Sequence, residues 1–271
     1  MRKGKVIGIV AIKGGVGKTT IAASLASDLA NHYGKKVLLI DGNYSAPNLG
    51  IHMDVIAPEK TIHHVLDGRM RIENSIIGRY GVDVIPGSYV YDKNLSVLKL
   101  KDKLTKIKGN YDFVVIDSSP SLNDEVLSTM LASDNLFVVT TPDYPTLSCS
   151  LSAARLARQR GKPISGIIVN KIRNPKYEVQ MKEIEEAVEI PVVARIPDDK
   201  NNVKALFTRI PTSIYSRNCA FSREINRLNA ALVGKAEKRS FLGYFKRDLR
   251  KEEVNRQLMK ESFYGNVFDA A

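Results

Sequence analysis

Short apolar runs recur along the chain, and each of them ends at a turn or a polar residue. They lack the alternation of apolar and polar positions that marks a strand with one solvated face, so we predict strands that are buried on both faces. The runs span residues 6–12, 37–40, 113–116, 136–139, 164–169 and 191–196.

Between these runs lie segments in which apolar residues recur every three to four positions, as on one face of a helix. The first such segment carries Ile21, Leu25 and Leu29. Strands that alternate with helices predict an α/β domain in three layers, with a mostly parallel sheet covered by helices on both faces. Ligands of such sheets bind beyond the carboxyl ends of the strands. The helical segments span residues 20–33, 95–107, 150–160 and 177–188.

The length and composition of the chain predict one large domain followed by a basic tail. The chain has 271 residues, 44% of them hydrophobic, which suffices for one large domain with a substantial core. From about Gly234 lysines and arginines crowd a short span, so we place the domain at 1–233 and a basic tail at 234–271.

Charge and hydropathy limit the environment. The net charge of +12 predicts attraction to a polyanion, either nucleic acid or an anionic membrane surface. No apolar stretch approaches the roughly 20 residues of a membrane-spanning helix, and the basic start of the chain is not followed by a signal-peptide cleavage site. We therefore predict a cytoplasmic protein, or one attached peripherally to the inner face of the membrane.

Cysteine and histidine give no metal motif. Cys149 and Cys219 are the only cysteines, and their separation fits neither a disulfide framework nor a CxxC metal clip. The pair His63-His64 lacks an HExxH context or a cysteine partner. We expect these histidines on the surface or on a helix face, and we predict no transition-metal site.

The sequence KGGVGKTT directly follows the first predicted strand and precedes a helical segment. Glycines let successive backbone N–H groups point inward at phosphate oxygens, and the start of the helix adds the positive end of its dipole. The lysine before the threonine pair would reach the β- and γ-phosphates, and the first threonine would ligate Mg²⁺. The predicted phosphate-binding residues are Gly14, Gly15, Val16, Gly17, Lys18, Thr19 and Thr20.

The additional lysine of this loop, Lys13, makes the motif more specific. KGGVGKTT resembles the deviant Walker A motif of the MinD/ParA family of dimerising ATPases. In that family the extra lysine reaches across a dimer interface to the ATP on the other subunit. The resemblance implies an ATP-dependent homodimer in which Lys13 neutralises transition-state charge in trans, as an arginine finger does.

Two further strands end in carboxylates that match the family. VLLID ends at Asp41 and resembles its second signature, and VVID ends at Asp117 and resembles Walker B. The resemblance implies that Thr19, Asp41 and Asp117 hold Mg²⁺, in part through water. The following segment 118–122 resembles the switch that senses the γ-phosphate.

Two later segments resemble the family's adenine site. Asn170 and Arg173 match an Asn-x-x-Arg motif in which the amide pairs with the base edge, for which an amide has the required donors and acceptors. Pro197 and Asp198 resemble the loop that closes over the base. ATP and Mg²⁺ are thus the expected cofactors.

The catalytic signature departs from the family at one position. The usual Asp-x-Asp is Asp41-Gly42-Asn43, and an amide cannot accept a proton as a carboxylate does. It can still hold a water molecule by hydrogen bonds. With Lys13, Lys18, Asp41 and Asn43 as catalytic residues, we expect slow, partner-stimulated ATP hydrolysis; the alternative is a non-hydrolysing ATP-binding scaffold.

The basic tail contains an amphipathic segment, 239–251, with aromatic and leucine side chains on one face and basic side chains around the rest. This pattern is typical of a helix that lies in a membrane interface, and MinD proteins end in a similar helix. Here twenty further residues follow it. The alternative is a helix that packs on the core or on a partner.

These features lead to two functional hypotheses. The first is a MinD-like spatial or cell-division regulator that dimerises on ATP, engages a membrane surface or a protein effector, and is released by hydrolysis. The second is a ParA-like partition ATPase that binds DNA non-specifically, which the net charge and four basic residues favour. These residues are Arg155, Arg158, Arg160 and Lys162.

Overall fold

A central eight-stranded sheet organises the computed structural model, which describes residues 4–91 and 95–235. The strands are β1 (Lys5–Val10), β2 (Val37–Gly42), β3 (Ile77–Arg79), β4 (Val82–Ile85), β5 (Phe113–Ser118), β6 (Asn135–Thr140), β7 (Ile164–Ile172) and β8 (Val192–Pro197). Their order in the sheet is β3-β4-β2-β5-β1-β6-β7-β8. All neighbours are parallel except β3 and β4, which pair antiparallel at one edge.

Helices cover both faces of this sheet. They are α1 (Lys18–Tyr33), α2 (Leu49–His52), α3 (Ile62–Leu66), α4 (Leu100–Thr105), α5 (Asp124–Ala132), α6 (Tyr144–Gln159), α7 (Met181–Val188), α8 (Asn201–Thr208), α9 (Thr212–Tyr215) and α10 (Ala220–Leu232). Single 3₁₀ turns lie at Ile72–Ser75, Val97–Lys99, Lys108–Asn110 and Pro175–Tyr177.

Alternate residues of strand β2 pack on opposite faces of the sheet. Leu39 of β2 packs into the cluster formed with α1 and α10, whereas Leu38 and Ile40 pack into the cluster formed with α3 and α4. All three are fully buried, as predicted for runs without polar alternation. The prediction of a three-layer α/β domain is confirmed.

The boundaries of three predicted helices change. The segment 95–107 forms a 3₁₀ turn and the short helix α4, and the segment 177–188 forms a helix only from Met181. Helix α6 begins at Tyr144 rather than at 150, because Asp143 accepts a hydrogen bond of 2.9 Å from the Thr146 N–H and caps the helix start. Capping, rather than apolar spacing, decides where this helix begins.

The described residues contain no membrane-spanning helix. In residues 4–91 and 95–235 no helix is long and apolar enough to cross a membrane. The amphipathic segment 239–251 lies outside the described residues, as does all of the predicted tail after Lys235.

Candidate functional site

The phosphate loop connects β1 to α1 at the carboxyl edge of the sheet. Gly15 and Gly17 have φ angles of 79° and 94°, in the left-handed region that favours glycine. Val16 between them is buried in the core and anchors the loop. Helix α1 starts at Lys18, and no side chain in the described part of the protein caps it. Its first N–H groups are therefore available to an anion.

Asn170 of β7 packs against this loop. Its Nδ2 atom donates a hydrogen bond of 2.8 Å to the Val16 carbonyl oxygen. Its Oδ1 atom is buried and has no hydrogen-bond partner among the described residues. The predicted adenine-binding amide thus lies directly beside the predicted phosphate loop, with an acceptor unused.

The two predicted metal carboxylates are neighbours across β2 and β5. The register pairs Asp41 with Asp117, and both are fully buried. Burial raises the pKa of Asp117 to about 6, against the opposing charge of Lys18. Burial and the nearby Asp117 raise the pKa of Asp41, while burial lowers the pKa of Lys18. Three ionisable groups share a site that stabilises charge poorly without a ligand.

The hydrogen bonds of the two carboxylates differ. Asp41 Oδ1 accepts from the Asn43 N–H at 3.1 Å, and its Oδ2 accepts from the Leu49 N–H at 3.1 Å. Neither oxygen of Asp117 accepts a hydrogen bond of good geometry within the ranges that the structure describes, although the nearby Thr19 hydroxyl lowers its pKa. Buried, unpaired carboxylate oxygens are what a divalent cation requires.

Thr19 completes this candidate metal site. Its hydroxyl donates a hydrogen bond of 3.1 Å to Asn48 Oδ1, which leaves the lone pairs of its oxygen for a cation. Thr19 and Asp117 therefore fit Mg²⁺, while Asp41 has its oxygens engaged in ordering the loop that follows β2. Sequence reasoning missed Asn48.

Asn43 lies in that loop and is buried. Its Nδ2 atom donates to the Ala46 carbonyl oxygen, three residues ahead, at 2.5 Å. The side chain predicted to orient water is thus held inside its own loop by the donor that an aspartate would lack.

Lys13 and Lys18 occupy different environments. Lys18 is buried, whereas the side chain of Lys13 is 44% exposed and its Nζ atom lies 4.0 Å from Asp143 Oδ1. Sequence reasoning missed Asp143, although it follows β6 much as Asp41 and Asp117 end their strands. The acidic side chain after a third strand was the available signal.

Lys171 is a further cation that the sequence did not single out. Its backbone is left-handed, with a φ of 59°, and its Nζ atom donates to the Gly15 carbonyl oxygen at 2.7 Å. Together with Lys13 and Arg173 it lines an open cleft of about 370 Å³ next to the phosphate loop. Asp143 and Glu178 line the same cleft, so its three cations lie among two carboxylates.

The remaining predicted base-binding residues also come together. Arg173 Nε donates to Asp198 Oδ2 at 2.6 Å, and the Asp198 N–H donates to the Ile172 carbonyl oxygen at 2.9 Å. The register pairs Ile172 with Pro197 at the ends of β7 and β8. Arg173, Pro197 and Asp198 thus form one unit on the side of the site where Asn170 lies.

Comparisons with known proteins identify the family and the fold. The model of an AAA domain family matches residues 4–152. An uncharacterised ATP-binding protein of Methanocaldococcus jannaschii is 32% identical over 249 residues, which cover 88% of this chain and 94% of the relative.

Two solved structures share the fold. The cell division ATPase MinD of Pyrococcus furiosus superposes with a TM-score of 0.81 at 28% identity, covering 86% of this chain and 100% of that one. The septum site-determining protein MinD of Pyrococcus horikoshii, complexed with Mg-ADP, superposes with a TM-score of 0.79 at 26% identity, covering 90% and 99%. ATP and Mg²⁺, predicted as cofactors, are confirmed for the family. The chain belongs to the MinD/ParA family of P-loop ATPases.

Proposed function

We propose that the protein is an ATP-dependent dimerising switch, a MinD-like spatial or cell-division regulator with slow, effector-stimulated hydrolysis. The contrast between its two loop lysines carries the proposal. Lys18 is buried beside Asp117, where it can serve only the phosphates of its own subunit. Lys13 is half exposed at the mouth of the cleft and only weakly paired. A second subunit can draw it to a nucleotide across an interface.

The residues of the site receive the following roles in this proposal. Residues 14–20 bind the phosphates, with Lys18 on the β- and γ-phosphates. Thr19 and Asp117 hold Mg²⁺, and Asp41 contributes to its water shell while ordering the loop after β2. The group that recognises adenine consists of Asn170, Arg173, Pro197 and Asp198. The unpaired Oδ1 of Asn170 supports this role, since the exocyclic amine of adenine is a donor.

Exposed apolar side chains around the cleft support the dimer. Leu122 is 57% exposed, Tyr144 65% and Tyr177 78%. Each lies at or near the carboxyl edge of the sheet, in the segment after β5, at the start of α6 and in the lining of the cleft. In the proposed dimer, a second subunit that closes over the cleft would cover these three side chains.

The identity of residue 43 supports slow turnover. Its amide is a poor base and its N–H donor is engaged by the Ala46 carbonyl oxygen, so water activation would depend on a further group that an effector supplies. The alternative is a non-hydrolysing ATP-binding scaffold, in which the protein binds ATP but does not hydrolyse it.

The dimer would act at a surface. We propose that the domain 1–233 carries the switch and that the tail 234–271 contacts lipid through 239–251, which places the cytoplasmic protein peripherally at the inner face of the membrane. Two copies of a weak anchor on one dimer bind far more strongly than one. A protein effector would then bind the dimer.

DNA is the second candidate ligand. Two of the four basic residues that favoured it have partners within the chain. Arg158 pairs with Glu189 at 3.0 Å, and Lys162 donates to the Ser133 carbonyl oxygen at 3.0 Å. Both are less available to phosphates than the sequence indicated.

Sedimentation velocity tests the switch. We expect the full chain to dimerise with Mg²⁺ and a non-hydrolysable ATP analogue but not with ADP. Lys13→Ala should stay monomeric while binding the analogue within about threefold of wild type, because its loss removes the contact in trans and leaves the loop intact. Dimers of Lys13→Ala, or dimers with ADP, would contradict the proposal.

A further inference from the structure

Besides Asp41 and Thr19, two side chains from other helices hold the loop 43–48 in place. The first is Glu125, in the first turn of α5, which is largely buried. Its Oε2 atom accepts a hydrogen bond of 3.2 Å from the Tyr44 N–H, and its Oε1 atom accepts a hydrogen bond from the Ser45 hydroxyl. A buried carboxylate is stable only when it is paired or hydrogen-bonded, and here both partners lie in this loop.

The second is His63 of α3, which is 1% exposed. Its Nδ1 atom lies 3.0 Å from the Ser88 nitrogen, and its Nε2 atom lies 2.9 Å from the Tyr44 carbonyl oxygen. Because the Ser88 N–H can only donate, Nδ1 accepts, and Nε2 carries the proton and donates to Tyr44. Burial lowers the pKa of His63, which favours this neutral form. Of the two positions that we expected, the surface or a helix face, His63 takes the second, on the buried side of its helix.

Glu125 and His63 therefore hold the backbone of Tyr44 from two sides: Glu125 bonds its N–H, and His63 bonds its carbonyl oxygen. We name this pair the Tyr44 clamp. Tyr44 directly follows Asn43, whose own N–H donates to Asp41. Fixing the backbone at 44 consequently fixes the backbone that carries the Asn43 side chain.

The clamp also connects separate parts of the site. Glu125 belongs to the helix that follows the segment 118–122, which resembles the γ-phosphate switch. His63 reaches the loop after β4, where a Cβ at Gly87 would lie 2.3 Å from the Pro47 Cβ. The loop 43–48 is thus held between the first turn of α5 and the loop after β4.

We propose that Glu125 and His63 are positioning residues for ATP hydrolysis, which hold the Asn43 loop at the orientation that turnover requires. The inference rests on the proposed hydrolytic switch. Neither residue belongs to the predicted phosphate, metal or base sites, so the clamp should affect kcat more than nucleotide affinity. A residue that only supported the fold would lower both, or neither.

Steady-state hydrolysis and equilibrium ATP binding, measured on the full chain, separate an effect on kcat from an effect on nucleotide affinity. Glu125→Ala should lower kcat about tenfold while the Kd for ATP changes less than about twofold. Glu125→Gln keeps an oxygen that accepts from the Tyr44 N–H, and it should recover kcat to within about threefold of wild type. His63→Ala and His63→Gln should behave as the corresponding pair, because glutamine has both a donor and an acceptor.

Asp28→Ala is the matched control. Asp28 is also a buried helical carboxylate, and it accepts hydrogen bonds from Asn226 at 3.2 Å and Asn229 at 2.8 Å. It lies in the later half of α1, away from the loop 43–48. We expect Asp28→Ala to lower the melting temperature and to leave kcat unchanged. An equal loss of kcat in Asp28→Ala and Glu125→Ala would show a general effect of instability and overturn the assignment.

Amide hydrogen exchange gives a readout without turnover. The Tyr44 N–H should exchange at least about tenfold faster in Glu125→Ala than in wild type, since its acceptor is lost, and Glu125→Gln should restore protection. If wild type shows no hydrolysis under any condition, the proposed function fails while exchange still tests the clamp. Unchanged exchange at Tyr44 together with unchanged kcat would overturn the clamp itself.

Discussion

The Asn170 amide occupies the space that a side chain at position 17 would need. A Cβ built on Gly17 would lie 2.4 Å from Asn170 Nδ2, far inside van der Waals contact. The same glycine has a φ of 94° and directly precedes α1. Gly17 is therefore required twice, for the backbone conformation of the phosphate loop and for the close packing of the base-binding amide upon it.

Gly17→Ala should disable nucleotide binding. We expect at least a roughly tenfold loss of ATP affinity, because the left-handed backbone costs about 1–2 kcal/mol and the clash displaces either the loop or Asn170. Isothermal titration calorimetry measures the affinity. Gly15→Ala is the matched control, since its φ is 79° but its Cβ would meet nothing within 4 Å. Equal losses in the two variants would argue against the packing role of Asn170.

Asn43→Asp should raise the rate of hydrolysis. The change removes the donor to the Ala46 carbonyl oxygen and supplies a carboxylate that can accept a proton from water. We expect kcat to rise by about tenfold or more, measured as phosphate release at saturating Mg·ATP. Asn43→Ala, which supplies neither group, should lower it. No change or a fall in kcat for Asn43→Asp would contradict the role given to this position.

His52 should make the folded protein sensitive to mild acid. Burial lowers the pKa of His52 to about 4, below its ordinary value of 6.5. The unfolded chain therefore binds the proton first, and stability is lost as the pH falls from about 6.5 towards 4. Because the side chain is partly exposed, we expect a loss from this group of about 1–2 kcal/mol between pH 7 and pH 5.

Urea unfolding of wild type and His52→Gln at the two pH values measures this contribution. The free energy of unfolding of the variant should fall less between pH 7 and pH 5, by that amount. Identical pH dependence in the two proteins would show that folding does not lower the pKa of His52.

The tail gives a prediction about membrane binding. The full chain should sediment with anionic liposomes in ATP and remain in solution in ADP, because only the dimer presents two anchors. A chain that ends at Val233 should not sediment in either state, and neither should Lys13→Ala. Absence of sedimentation of the full chain in every state would remove the membrane and favour DNA or a protein effector.

The sequence alone determined the fold class and the chemistry of the loop. The signals for both are local, since they depend on residues close together in the chain.

Tertiary structure decided which groups meet. The register of β2 and β5 places Asp41 beside Asp117, and the packing of β7 sets Asn170 against Gly17. Lys171, Glu125 and His63 contribute through contacts across many residues of sequence, for which no local pattern exists. Apolar spacing specifies a buried face, but the partner of a buried polar atom depends on where the whole fold places the nearest complementary group.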